Sequence, residues 1–143
     1  MNEDRNFLYN SDAEIETLAG RFETCELQPD ELPHYAHLAM SVWYFMRLPE
    51  REAIRRINEG LLRFIRHYDL KMHNETITLF WIKLLRRFVE DSSAGARVKD
   101  VANEAIKLFS NSRIIFDYYT KELLMSEEAR VKWVEPDLKP LDF

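Results

Sequence analysis

A single cysteine, Cys25, in 143 residues excludes an internal disulfide and any cysteine-rich zinc site. Three glycines and five prolines leave few turn-forming positions, which disfavours a many-turned β fold and favours long helices. There is no Gly-rich phosphate loop, no internal repeat and no low-complexity segment. No run of ~20 apolar residues is present, so no segment reads as membrane-spanning. The opening MNEDRNFLYN is polar and acidic and lacks the apolar core of a signal peptide. A cytoplasmic protein is the expectation from these two absences. Positive charge is not in excess either: the net charge is −5, which argues against nucleic acid as a partner.

Apolar side chains are abundant. Hydrophobic residues make up 46% of the chain and aromatics 13%, enough for one domain with a real core. The expected fold is all-α, a single domain over residues 1–143 built as a bundle of about six helices. Residues 1–10 are expected to be a loose lead-in. Residues 135–143, EPDLKPLDF, are expected to be an extended tail, because a helix cannot run through both prolines.

The bundle is expected to centre on residues 33–47, PHYAHLAMSVWYFMR. At 100° per residue, His34, His37, Ser41 and Tyr44 share one face. Val42, Ala39, Met46 and Tyr35 take a second, and Trp43, Ala36 and Met40 a third. A helix apolar nearly all round belongs inside a bundle, and its polar stripe then needs partners from other segments. Asp30 is the expected N-cap, and Leu48-Pro49 the stop.

Around it, Ser11 or Asp12 caps a first helix carrying Ile15, Leu18, Ala19, Phe22 and Glu26, with Cys25 near the same face as a small buried hydrophobe. Residues 49–68 give the cleanest amphipathic pattern. Ile54, Ile57, Leu61, Phe64, Ile65 and Tyr68 face inward and a run of arginines faces out. A histidine on the wet side, His67, is read as solvated near the helix C-terminus. Residues 74–90 follow, with Ile77, Phe80, Trp81, Leu84, Leu85 and Phe88 inward, then a helix at 96–109. Residues 114–119 and 121–125 read as one interrupted helix. Ser126 caps a last helix over residues 127–134.

Three segments resemble one family. Glu31-Leu-Pro-His34-Tyr-Ala-His37-Leu is similar to an E-F-x-H-x-x-H-[LV] motif. Asn74-Glu-Thr-Ile-Thr78 with Trp81 is similar to [HN]-E-T-[IL]-T-x-x-W. Ser126-Glu-Glu-Ala-Arg130 with Trp133-Val-Glu-Pro-Asp-Leu138 is similar to S-x-x-A-R-x-x-W-x-E-P-D-L. Together they resemble an uncharacterised family of small, all-helical bacterial proteins. Leu32 and Pro33 depart from its pattern. The resemblance implies no activity, and it directs attention to His34, His37, Asn74, Thr78, Arg130 and Asp137.

Two chemistries suit these residues. The first is a small-molecule pocket of His34, His37, Ser41, Tyr44, Asn74, Thr78 and Trp81, apolar with a few convergent polar groups. The second is an acid–base or metal-dependent enzyme using the same histidines. Histidines at i and i+3 can share one metal, and His73 is the third candidate for a single transition metal. No Ser/His/Asp triad is assignable, so the sequence leaves open whether the chain is an enzyme. Against both stands a structural reading: the histidines, Asn74 and Thr78 as a buried network tying helices together, with Arg130 and Asp137 pinning the tail. A protein-interaction module is the remaining alternative, resting on the arginine-rich outer face of the third helix. Homo-oligomerisation is not readable from the sequence.

Overall fold

Helices alone build the structure, a computed structural model that describes residues 7–71 and 73–143. The order is α1 (Asp12–Glu23), α2 (His34–Arg47), α3 (Glu50–His67), α4 (Glu75–Glu90), α5 (Val98–Phe109), α6 (Lys121–Leu124) and α7 (Glu127–Val131). One 3₁₀ turn, Pro29–Glu31, precedes α2 and another, Ser112–Asp117, precedes α6. No strand occurs among the described residues, and no helix among them is long and apolar enough to cross a membrane.

Short polar side chains open four of these helices by accepting an otherwise orphaned N–H. Ser11 takes the Glu14 N–H, Asn74 that of Ile77, Thr120 that of Leu123 and Ser126 that of Ala129. The fifth helix is capped from outside: Asp12 of α1 accepts the Lys99 N–H at 2.8 Å. The central helix begins after Pro33, whose ring fixes an extended approach, and Asp30 lies inside the preceding 3₁₀ turn and is not its cap.

Several boundaries differ from expectation for local reasons. The first helix ends at Glu23, so Cys25 and Glu26 lie beyond it. Cys25 takes a left-handed conformation (φ 59°) while its N–H reaches Phe22 O and that of Glu26 reaches Arg21 O. Cys25 is half-buried and ends a helix; it is not a core residue. The stretch expected as helix at 114–119 is a 3₁₀ turn. The last helix stops three residues early, because Lys132 and Val134 turn their backbone toward Thr76. Residues 7–10, expected to be loose, are tied down. Tyr9 is buried, its N–H donates to Asn103 Oδ1 and its carbonyl accepts from Asn103 Nδ2. The expectation for residues 1–6 lies outside the described residues.

The second helix sits at the centre and packs against α1, α3, α4 and α5. Its faces divide the interior in two. Leu38, Ala39 and Val42 join Phe80, Leu84 and Leu85 of α4, Ala102, Ala105 and Ile106 of α5, and Tyr119, Leu124 and Ala129 in one core. Ala36, Met40 and Tyr44 join Ala19 and Phe22 of α1, and Ala53, Ile57 and Phe64 of α3, in another, which Ile82 of α4 also enters. The second core needs close approach of α1 and α3. A Cβ on Gly60 would stand 2.3 Å from Phe22 Cε2, so glycine is what lets the helices touch. Two of the outer arginines of α3 are paired with acids: Arg55 with Glu52 and Glu59, Arg56 with Glu52 and Glu23.

Candidate functional site

Between the two cores the packing is incomplete. An ion pair between Glu50 and Arg86, 3.3 Å apart, joins the start of α3 to the end of α4. Elsewhere those helices share little contact. The space between them, floored by α2 and closed at one end by the Ser112–Asp117 turn and α6, is a cavity of about 620 Å³. Pockets for small molecules commonly fall in this size range. Its walls are drawn from both cores: Leu38, Leu85, Ile115 and Leu124 from one, Leu32, Ile57, Phe64 and Ile82 from the other.

The polar stripe of α2 opens into this cavity. His34, His37 and Ser41 line it, as do Asn74, Thr78 and Trp81 of the facing segment, and His73. Tyr44 does not. It lies two turns beyond His37, about 10 Å along the axis, where α1 and α3 have closed over α2. There its hydroxyl donates to Glu23 Oε1 at 2.7 Å within the second core. Burial first, and then the Glu23 carboxylate, push the Tyr44 phenol above its usual range.

The polar groups around the cavity divide by what they already bond. His34 sits edge-on to Trp81, ring centroids 4.8 Å apart. Its Nε2 is 2.8 Å from the Phe109 carbonyl, which can only accept, so that nitrogen carries the proton. Asn74 is committed at both ends: Oδ1 caps α4 and Nδ2 donates to Leu124 O at 2.9 Å. His73 lies 3.2 Å from Glu75 Oε1. His37, Ser41 and Thr78 make no side-chain hydrogen bond among the described residues, and none of their polar atoms is sealed from the cavity. Burial, with a smaller contribution from His34, lowers the His37 imidazole to about 4, so at neutral pH it is uncharged.

The three-histidine metal set is not assembled. No group of three or more His, Cys, Asp or Glu side chains converges among the described residues. The proton that His34 holds against Phe109 leaves it only Nδ1, and His73 is turned to Glu75. Glu31, one turn before His34, is no further ligand: it is exposed and accepts from the Gln28 N–H and from Arg21. The tail is pinned, but not as expected. Asp137 accepts from the Thr120 N–H at 2.8 Å and the Thr120 hydroxyl at 2.7 Å. Arg130 points to solvent and pairs with neither Asp137 nor Glu135 among the described residues.

Sequence reasoning missed the α3 wall. Ile57, Leu61, Phe64 and Ile65 were legible as an inward apolar face, which normally means contact with another helix. Here that face packs on the second core along one side and borders the cavity along the other. Leu70, Phe116 and the half-exposed Met125 complete the lining.

Fold and site together define an all-helical bundle with a largely apolar cavity, whose polar lining includes His37, Ser41 and Thr78, three side chains without a hydrogen-bond partner among the described residues. Comparison of the chain with protein-family models, with curated proteins and with solved structures finds no match.

Proposed function

We propose that the chain binds a small molecule in the cavity between α2, α3 and α4, holding its polar atoms with His37, Ser41 and Thr78. One observation carries the reading. These three side chains have no hydrogen-bond partner among the described residues, yet they line one largely apolar space of about 620 Å³. Polar groups inside a protein are ordinarily bonded; these three are not, and they face one cavity. Asn74 and His34 frame the site and hold α6 and α5 in place around it. The resemblance to small bacterial helical proteins belongs to the same proposal: two of its three segments supply cavity residues, and the third supplies Asp137.

Binding is favoured over acid–base catalysis. An efficient catalytic histidine titrates near the working pH. His37, lowered to about 4, is neutral and weakly basic at pH 7, and no carboxylate hydrogen-bonds it.

The test is titration with N-phenyl-1-naphthylamine, an uncharged apolar fluorophore. We expect saturable fluorescence, with energy transfer from tryptophan that falls in Trp81→Phe, the tryptophan that lines the cavity. Binding should also be lost in Leu61→Trp, which fills the cavity, provided circular dichroism shows the helices intact. Absence of binding, or equal binding to the folded Leu61→Trp variant, overturns the proposal.

A further inference from the structure

We infer, resting on that reading, that the cavity selects uncharged ligands: an apolar body bearing a hydroxyl, ketone, ester or amide group, in preference to the corresponding carboxylate or amine. Charged side chains are 31% of the sequence, yet no Lys, Arg, Asp or Glu among the described residues lines the cavity. Wall by wall the pattern holds. The third helix contributes only Ile57, Leu61, Phe64 and Ile65. The fourth contributes Thr78 and the Trp81 indole N–H as uncharged polar groups without a partner among the described residues, and Leu124 of α6 and Met125 just after it are apolar. Among the described residues, the titratable groups that line the cavity with His37 are His34 on its own helix and His73 from the α3–α4 connection, and both already have protein partners.

An ion carried into such a space loses its hydration and meets no opposite charge, which is far more costly than burying a hydrogen-bonded neutral group. Of the three histidines among the described residues that line the cavity, His37 is the one with no protein partner, and so the one whose charge a carboxylate would meet unpaired. Because it is held neutral down to about pH 4, a proton would have to be forced onto it at neutral pH. A cationic amine fares no better: it meets a neutral imidazole and two hydroxyls, none of them an anion. What the three groups do offer is a matched set. A neutral imidazole and two hydroxyls can each donate and accept, which suits a group that also does one or both, such as an alcohol or an amide. A ketone or ester needs only their donors.

The experiment is displacement of N-phenyl-1-naphthylamine from the wild-type protein at pH 7.5 by four compounds with the same ten-carbon body: 1-decanol, 2-decanone, decanoate and decylamine. The alcohol and the ketone should displace at concentrations ~10-fold or more below those of the two ions. In His37→Leu the alcohol should weaken several-fold while the fluorophore itself still binds. Equal displacement by alcohol and carboxylate, tighter binding of either ion, or an alcohol affinity unchanged in His37→Leu overturns the inference while leaving the small-molecule site standing. If the fluorophore does not bind the wild-type protein at all, the underlying reading falls and this one falls with it.

Discussion

Thr76 and Thr78 are two residues apart on α4 and face opposite sides of it. Thr76 is fully buried in the seam between α4 and the C-terminal segment, where its hydroxyl donates to Lys132 O at 2.9 Å and accepts the Val134 N–H at 3.3 Å. Beside it Asn74 reaches Leu124 O, and the Tyr119 hydroxyl reaches Val134 O at 2.6 Å. Thr78 faces the other seam, toward α2 and α3, and has no side-chain partner among the described residues. One helix thus borders two polar seams. In the first, side chains stand in for backbone partners that irregular chain lacks, so polarity holds the segment in place. In the second, the same residue type satisfies nothing in the fold, so its presence there is not explained by folding.

The first seam should break hardest. Replacing Thr76 by Val keeps the shape but leaves a part-buried carbonyl and a buried N–H without partners. We expect a loss of about 3 kcal/mol, read as a drop in the urea midpoint. Asn74→Ala removes the α4 cap and orphans Leu124 O; a loss of about 2 kcal/mol is expected in the same measurement. If either variant unfolds at the wild-type midpoint, the tight seam is not what holds the C-terminal segment.

Much of this contrast was not legible in the sequence. The helical wheel separated the faces of α2 well, because its pattern depends only on the 3.6-residue period, and His34, His37 and Ser41 do share one side. The wheel says nothing about position along the axis, which is why Tyr44 was grouped with them and in fact faces Glu23. Nor could it tell Thr76 from Thr78. Which threonine is bonded depends on where residues 132–134 return, more than fifty positions later. The cavity itself rests on α3 and α4 failing to close, a matter of helix placement that an amphipathic pattern does not encode. Charge complementarity misled at Arg130, since short hydrogen bonds to Thr120 fix Asp137 more tightly than a long exposed arginine would.

The loose seam should reveal itself through pH. The unfolded chain protonates His37 near 6.5, whereas the folded protein resists until about 4. Between those values the unfolded state binds more protons, so the penalty is absent above about pH 6.5 and grows as pH falls toward 4. Acids such as Asp137 and Asp142, lowered chiefly by hydrogen bonds from Thr120 and Tyr118, also lose stabilisation as the medium becomes acidic. The informative quantity is therefore the difference between wild type and His37→Leu. At pH 5 the variant should gain between about 1 and 2 kcal/mol relative to its standing at pH 7.5. Parallel losses in the two proteins would mean that His37 is not held neutral inside the fold.

The smallest effect on stability is also the sharpest test of the contrast. Thr78→Val makes the same chemical change as Thr76→Val, two residues away. Because the Thr78 hydroxyl satisfies no protein group, its removal orphans nothing, and an apolar methyl suits the surrounding wall. Stability should stay within about 0.5 kcal/mol of wild type. The hydroxyl's contribution should instead surface in ligand affinity: a bound alcohol loses one hydrogen bond, worth about 1 kcal/mol, and displaces the fluorophore roughly fivefold less well. Thr76→Val, measured on the fraction still folded, should leave that affinity alone. If Thr78→Val destabilises as much as Thr76→Val and leaves affinity untouched, the two seams are of one kind, and the cavity's polar groups belong to the fold after all.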